Sequence, residues 1–148
     1  MNALKNTQRG TTLIEVLVAI LVTATGVMGA ASMQINSLKF NQTAKFRSSA
    51  VFLANDIADR LRANRGQALG GSYDIAVDDE APSGDTTAQV DLRDWLAELS
   101  RRMPAGDGEI VRDGNRFVIS VSWSESRVSK TREKSADNAQ VFEFVTEL

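Results

Sequence analysis

The sequence predicts an α+β fold: one long N-terminal helix set against a small antiparallel β-sheet. The first half of that helix reads as apolar and protruding, the second as amphipathic and packed. Three observations predict this. Leu13–Met33 is strongly apolar, with Glu15 its single charge. Apolar residues then keep recurring at helical steps as far as Leu61. The last third of the chain alternates apolar and polar residues around Asp113-Gly114-Asn115, a hairpin signal.

The helix reads from about Thr12 to Arg65. At about 1.5 Å per residue, Leu13–Met33 spans roughly 31 Å, close to the ~30 Å of a bilayer core. Lys5 and Arg9 precede it and no basic residue follows closely, so the N-terminus is expected on the cytoplasmic side. Ile35, Leu38, Phe46, Ala50, Leu53, Ile57 and Leu61 then form one stripe, with Asn36, Lys39, Lys45, Arg47, Asp56 and Asp59 on a solvated opposite face. Arg60, Arg62 and Arg65 suit the negative end of the helix dipole, and Gly66 is a natural stop. Gly26 and Gly29 interrupt the apolar half, each costing up to ~1 kcal/mol relative to alanine. Either they are tolerated as glycine commonly is in membrane helices, or they mark a soft point.

Residues 66–90 carry turn chemistry, with a short strand at Tyr73–Val77. Their acidic residues, Asp74, Asp78, Asp79, Glu80 and Asp85, lack the spacing of a calcium loop and read as a solvated acidic loop. Asp91 fits as the N-cap of a helix through Met103, which aligns Leu92, Trp95, Leu96, Leu99 and Met103 on one side, Trp95 as a core anchor. Pro104 and Gly106 end that helix. In Arg116–Trp123, Phe117, Ile119, Val121 and Trp123 share one face. Glu125–Ala139, with Lys130, Arg132 and Lys134, reads as an exposed excursion, and Val141–Leu148 as a final strand with Phe142 and Phe144 pointing the same way.

Composition narrows the function. The chain of 148 residues holds no cysteine and no histidine, so thiol chemistry, disulfides and the usual neutral-pH base are absent. No Ser-x-x-Lys occurs and no carboxylate pair stands out, so no catalytic, cofactor-binding or metal-binding residue is assigned and no cofactor is expected. Formal charge is −2, and without Lys5 and Arg9 it becomes −4 from 15 basic and 19 acidic residues. An acidic surface does not attract phosphates, so no nucleic acid is expected as partner.

An ionisable residue in a membrane segment is costly and points to function. Around Glu15 the sequence reads Arg9-Gly10-Thr11-Thr12-Leu13-Ile14-Glu15-Val16. This resembles the class III signal of type IV prepilins, in which a short basic leader ends in Gly and the fifth residue beyond is Glu. The resemblance implies a leader at residues 1–10, cleavage by prepilin peptidase between Gly10 and Thr11, and N-methylation of Thr11. The usual first mature residue is Phe, and here it would be Thr11. Residues 11–35 would be the transmembrane and later filament-core half of the helix, and 36–148 a periplasmic domain of pilin-like fold. Gly26 and Gly29 would then let the helix unwind as it leaves lipid.

The resemblance also implies a minor pilin of the type IV pilus, held in the inner membrane by a single pass before joining the filament. Its partners would be other minor pilins and the major pilin, with Glu15 the subunit contact. Cleavage would create an α-amino group on Thr11, four residues from Glu15, so that carboxylate could equally neutralise its own terminus. Three other readings compete. A pseudopilin of a type II secretion system carries the same leader. A periplasmic binding domain exported by an ordinary signal peptide would be cut near Gly29-Ala30-Ala31 and leave Glu15 unexplained. An adhesive or DNA-uptake pilin would use Lys130–Lys134.

Overall fold

The computed structural model describes residues 12–125 and 139–148. Gly10 and Thr11, and the basic excursion with Lys130, Arg132 and Lys134, lie outside the described residues. Helix α1 (Leu13–Ala63) is followed by a short α2 (Arg65–Leu69), α3 (Thr87–Arg102) and strands β1 (Asp107–Asp113), β2 (Arg116–Ser124) and β3 (Ala139–Glu147). The α+β expectation of a long helix and a small antiparallel sheet is met. The chain divides into two compact units, Met1–Lys39 and Phe40–Leu148.

In the first unit, residues 12–38 are helical from Leu13 onward and exposed throughout. No proline interrupts α1, and Glu15 in its first turn and Arg60 and Arg62 in its last suit its dipole. Thr23 Oγ1 donates to the Ala19 carbonyl at 2.8 Å, and Thr25 Oγ1 to Val22 at 2.9 Å. Both hydroxyls are thereby satisfied inside the helix, as an apolar surrounding requires.

The second unit holds the core. From α1 come Ala50, Leu53, Ala54, Ile57, Ala58 and Leu61, and from α3 Ala88, Leu92, Trp95, Leu96 and Leu99. Ile110, Phe117, Ile119, Val121 and Trp123 close it from the sheet, with Tyr73 and Met103 beside them. Trp95 is fully buried, and its Nε1–H donates to the Leu53 carbonyl at 3.0 Å, which ties α3 to α1. Gly108 is required here: a Cβ would run into the Trp95 ring. The sheet order is β1-β2-β3, both pairings antiparallel. Asp113 pairs with Arg116 across the two-residue loop Gly114-Asn115. Gly114 takes φ +62, which glycine adopts at no steric cost.

Several expectations are corrected. Ile35 and Leu38 are exposed, and burial along the stripe starts only at Phe46. The long helix ends at Ala63, because Asn64 leaves helical geometry at φ −114, ψ 44, and Gly66 falls inside α2 rather than stopping α1. The strand expected at Tyr73–Val77 is a single bridge, Ile75 to Ile110 on the edge of β1. Helix α3 begins before Asp91. Its N-cap is Thr86, in a capping box with Gln89 that satisfies a free N–H at each end. Asp91 sits inside the helix and is recruited elsewhere. Its Oδ2 accepts from the Tyr73 hydroxyl at 2.6 Å and its Oδ1 from Arg60 Nη1 at 3.0 Å.

The three arginines do more than offset a dipole. Arg60 also pairs with Asp56 at 3.1 Å. Arg62 reaches Thr146 Oγ1 on β3 at 2.7 Å, and Arg65 donates to the Leu148 carbonyl at 3.1 Å. They fasten the end of α1 and the start of α2 to α3 and to the final strand.

Candidate functional site

The candidate site is the start of α1. Its first hydrogen bonds run from Glu15 N–H and Val16 N–H to the Thr12 carbonyl, at 3.0 and 3.3 Å. Glu15 thus stands in the first turn, where the unpaired N–H groups of a helix favour a carboxylate. Glu15, Ala19 and Thr23 recur at steps of four and share one face with Val16 and Ile20. Small residues at two of those three positions leave the carboxylate above a shallow apolar strip.

Among the described residues nothing covers the apolar side chains that follow. Leu13 is 82% exposed and Met33 73%, with Ile14, Leu17, Ile20, Leu21, Val22, Val27 and Met28 all open between them. At about 25 cal/mol per Å² of apolar surface, leaving so many large side chains in water is untenable for a free chain. The segment is long and apolar enough to cross a membrane. A Cβ at Gly26 or Gly29 would meet no atom within 4 Å, so no contact among the described residues requires glycine there.

Elsewhere the acidic loop does not converge. Asp79 Oδ2 accepts from the Ala76 N–H at 2.8 Å, and Asp74 faces Arg112 at 3.8 Å. Among the described residues no three His, Cys, Asp or Glu side chains gather as a metal site would need. The Tyr73–Asp91–Arg60 network is structural. Burial first, and then the hydrogen bond to Asp91, push the Tyr73 hydroxyl up to about 12. Burial works against the Arg60 charge, but the hydrogen bond to Asp91 and the charges of Asp56 and Asp91 outweigh it and raise its pKa.

Sequence reasoning found Glu15 from its anomaly in an apolar run. The roles expected for Gly10 and Thr11 concern residues outside those described. The family model for the prokaryotic N-terminal methylation motif matches residues 5–31. No curated protein and no solved structure matches the chain. The motif is that of the class III prepilin signal, the substrate of prepilin peptidase, and indicates a type IV pilin-like or pseudopilin protein with assembly partners of that kind. Such proteins are structural rather than enzymatic, and the exposed apolar helix fits anchoring in the inner membrane before assembly.

Proposed function

We propose that this chain is a minor pilin of the type IV pilus that helps initiate or prime filament assembly, in a low-copy complex with other minor pilins near the tip. The observation that carries the proposal is Glu15. It is the sole charge between Leu13 and Met33, it lies in the first turn of an exposed helix, and it falls within the matched motif. In overall layout and in Val121-Ser122-Trp123-Ser124-Glu125 the remainder resembles the minor pilin PilV, and that resemblance favours the pilus over the secretion system.

Prepilin peptidase cuts between Gly10 and Thr11, and Thr11 is N-methylated. Residues 11–35 hold the protein in the inner membrane, and residues 36–148 fold in the periplasm. On assembly, Glu15 meets the N-terminus of a neighbouring subunit, where an unpaired buried charge would cost several kcal/mol. Gly26 and Gly29 let the helix loosen as it passes from lipid into protein.

The test is Glu15→Leu in an expressing Gram-negative cell, scored for N-terminal sequence, membrane retention and crosslinking to the other pilins. The variant should begin at Thr11 and stay in the membrane like the parent, yet lose its crosslinks. A chain beginning at Ala30 or Ser32 would point instead to ordinary export of a periplasmic domain. Crosslinks that survive the substitution would leave Glu15 neutralising its own terminus. Crosslinks to pseudopilins alone would move the protein to the secretion system.

A further inference from the structure

Between the apolar run and the buried part of α1 lies a stretch that belongs to neither. Ile35, Leu38 and Phe40 are 54%, 63% and 76% exposed, and burial begins only at Phe46. Val16–Leu38 carries no charge, and the next three charges are all positive: Lys39, Lys45 and Arg47. Lys45 and Arg47 are exposed and Lys39 is half-buried. No carboxylate occurs between Glu15 and Asp56. None therefore lies three or four residues from any of these cations, and the helix offers them no ion-pair partner. From Ser48 onward the balance reverses, with 12 basic and 18 acidic residues.

The placement of the three cations is the second observation. At about 100° per residue they point in three directions, roughly 80–160° apart, so they ring the helix. A docked protein meets one face of a helix, whereas a layer of lipid headgroups meets every side. At about 1.5 Å per residue, Val16–Leu38 spans roughly 34 Å, enough for a ~30 Å bilayer core with modest tilt. Lys39, Lys45 and Arg47 then fall roughly 2, 10 and 14 Å beyond Leu38. The headgroup layer is about 5–7 Å deep on each side, and the field of its charges reaches about 8 Å further at physiological salt. All three cations fall inside that zone.

We propose that Lys39, Lys45 and Arg47 form a collar that binds the phosphates of anionic phospholipids where α1 leaves the bilayer. Ile35, Leu38 and Phe40 lie at the boundary of the acyl chains and find their apolar cover there. The long basic side chains keep their stems along that boundary while their charged heads reach the phosphates. Each cation close to an anionic surface favours it about fivefold over a neutral one. The acidic remainder of the chain is repelled by the same surface, so the attraction is confined to the collar. The inference rests on reading Val16–Leu38 as a membrane segment.

The chain has no cysteine, so the single substitution Ser37→Cys accepts a fluorescent dye beside the collar. The full chain is placed in mixed vesicles of phosphatidylcholine and phosphatidylglycerol. Quenching is then compared between the two lipids, each carrying a nitroxide high on its acyl chain. The anionic lipid should quench about fivefold more effectively at low salt, and the preference should fade as salt is raised. It should vanish in the triple variant Lys39→Gln, Lys45→Gln, Arg47→Gln and persist in Lys39→Arg, Lys45→Arg, Arg47→Lys. Unchanged tryptophan emission would verify the fold of both variants. A dye at Ala24→Cys, quenched from the middle of the acyl chains, tests the membrane segment itself. No quenching there would remove that reading and the proposal with it. Quenching at position 24 with no lipid preference at position 37 would overturn the proposal alone, as would a preference that survives the Gln variant. Carbodiimide crosslinks from Lys39 or Lys45 to a carboxylate of another protein, without a lipid preference, would assign the cations to a protein partner instead.

Discussion

Tyr73 shows how much one side chain can hold. It is fully buried, donates to Asp91 and accepts from Asn64 Nδ2 at 3.1 Å, so it joins the end of α1 to α3. Burial, reinforced by the bond to Asp91, holds its hydroxyl at about 12 against the ordinary 10.0. The folded state therefore keeps this proton where the unfolded chain has released it. The associated stability is complete below pH ~10 and is lost as pH rises towards ~12, about 2–3 kcal/mol in all. Tyr73 is the only tyrosine, so phenolate absorbance followed beside the denaturant midpoint reads the effect directly. In Tyr73→Phe that alkaline step should vanish, while stability at neutral pH falls by about 1–2 kcal/mol because Asp91 loses a partner. An alkaline step of unchanged size in the variant would assign it to other groups.

Among the elements, α3 and the hairpin were the most readable and the joints between elements the least. The alternation of Phe117, Ile119, Val121 and Trp123 and the stripe Leu92, Trp95, Leu96, Leu99 and Met103 are buried as their periods require. The start of α3 was misplaced because Asp91 is a favoured cap type, although Thr86-x-x-Gln89 carried the capping-box signal. Periodicity also could not tell that Ile35 and Leu38 find no cover, since an apolar stripe reads the same whether or not its own chain buries it. The ties of Arg60, Arg62 and Arg65 depend on residues remote in sequence. At Gly108 the packing of α3 on β1 gives a sharp prediction. Removing the flexibility of a glycine usually stabilises by about 0.4–1 kcal/mol, but overpacking against Trp95 costs about 1–3. Gly108→Ala should therefore lower the urea midpoint, and a raised midpoint would mean that the Trp95 ring has room to move.

For the molecule as a whole, the division at Lys39 and Phe40 separates a stretch with no buried residue among those described from one that contains the core. A chain starting at Phe40 should therefore be monomeric and should unfold cooperatively with the same urea midpoint as the full protein, within about 0.5 kcal/mol. A fragment that aggregates or melts without cooperativity would show that the apolar stretch is needed for folding. Glu15 stood out in the sequence because a charge in an apolar run is a local anomaly, whereas the pairing of the three strands emerges only in the fold. The same division has a spectroscopic corollary. Both tryptophans and the lone tyrosine are buried in the unit from Phe40 onward, and residues 1–39 contain neither. Ultraviolet emission from this protein is thus blind to whatever surrounds residues 1–39. Any change in colour or intensity reports on the folded unit alone, which gives a silent background against which a dye placed near Glu15 would be heard.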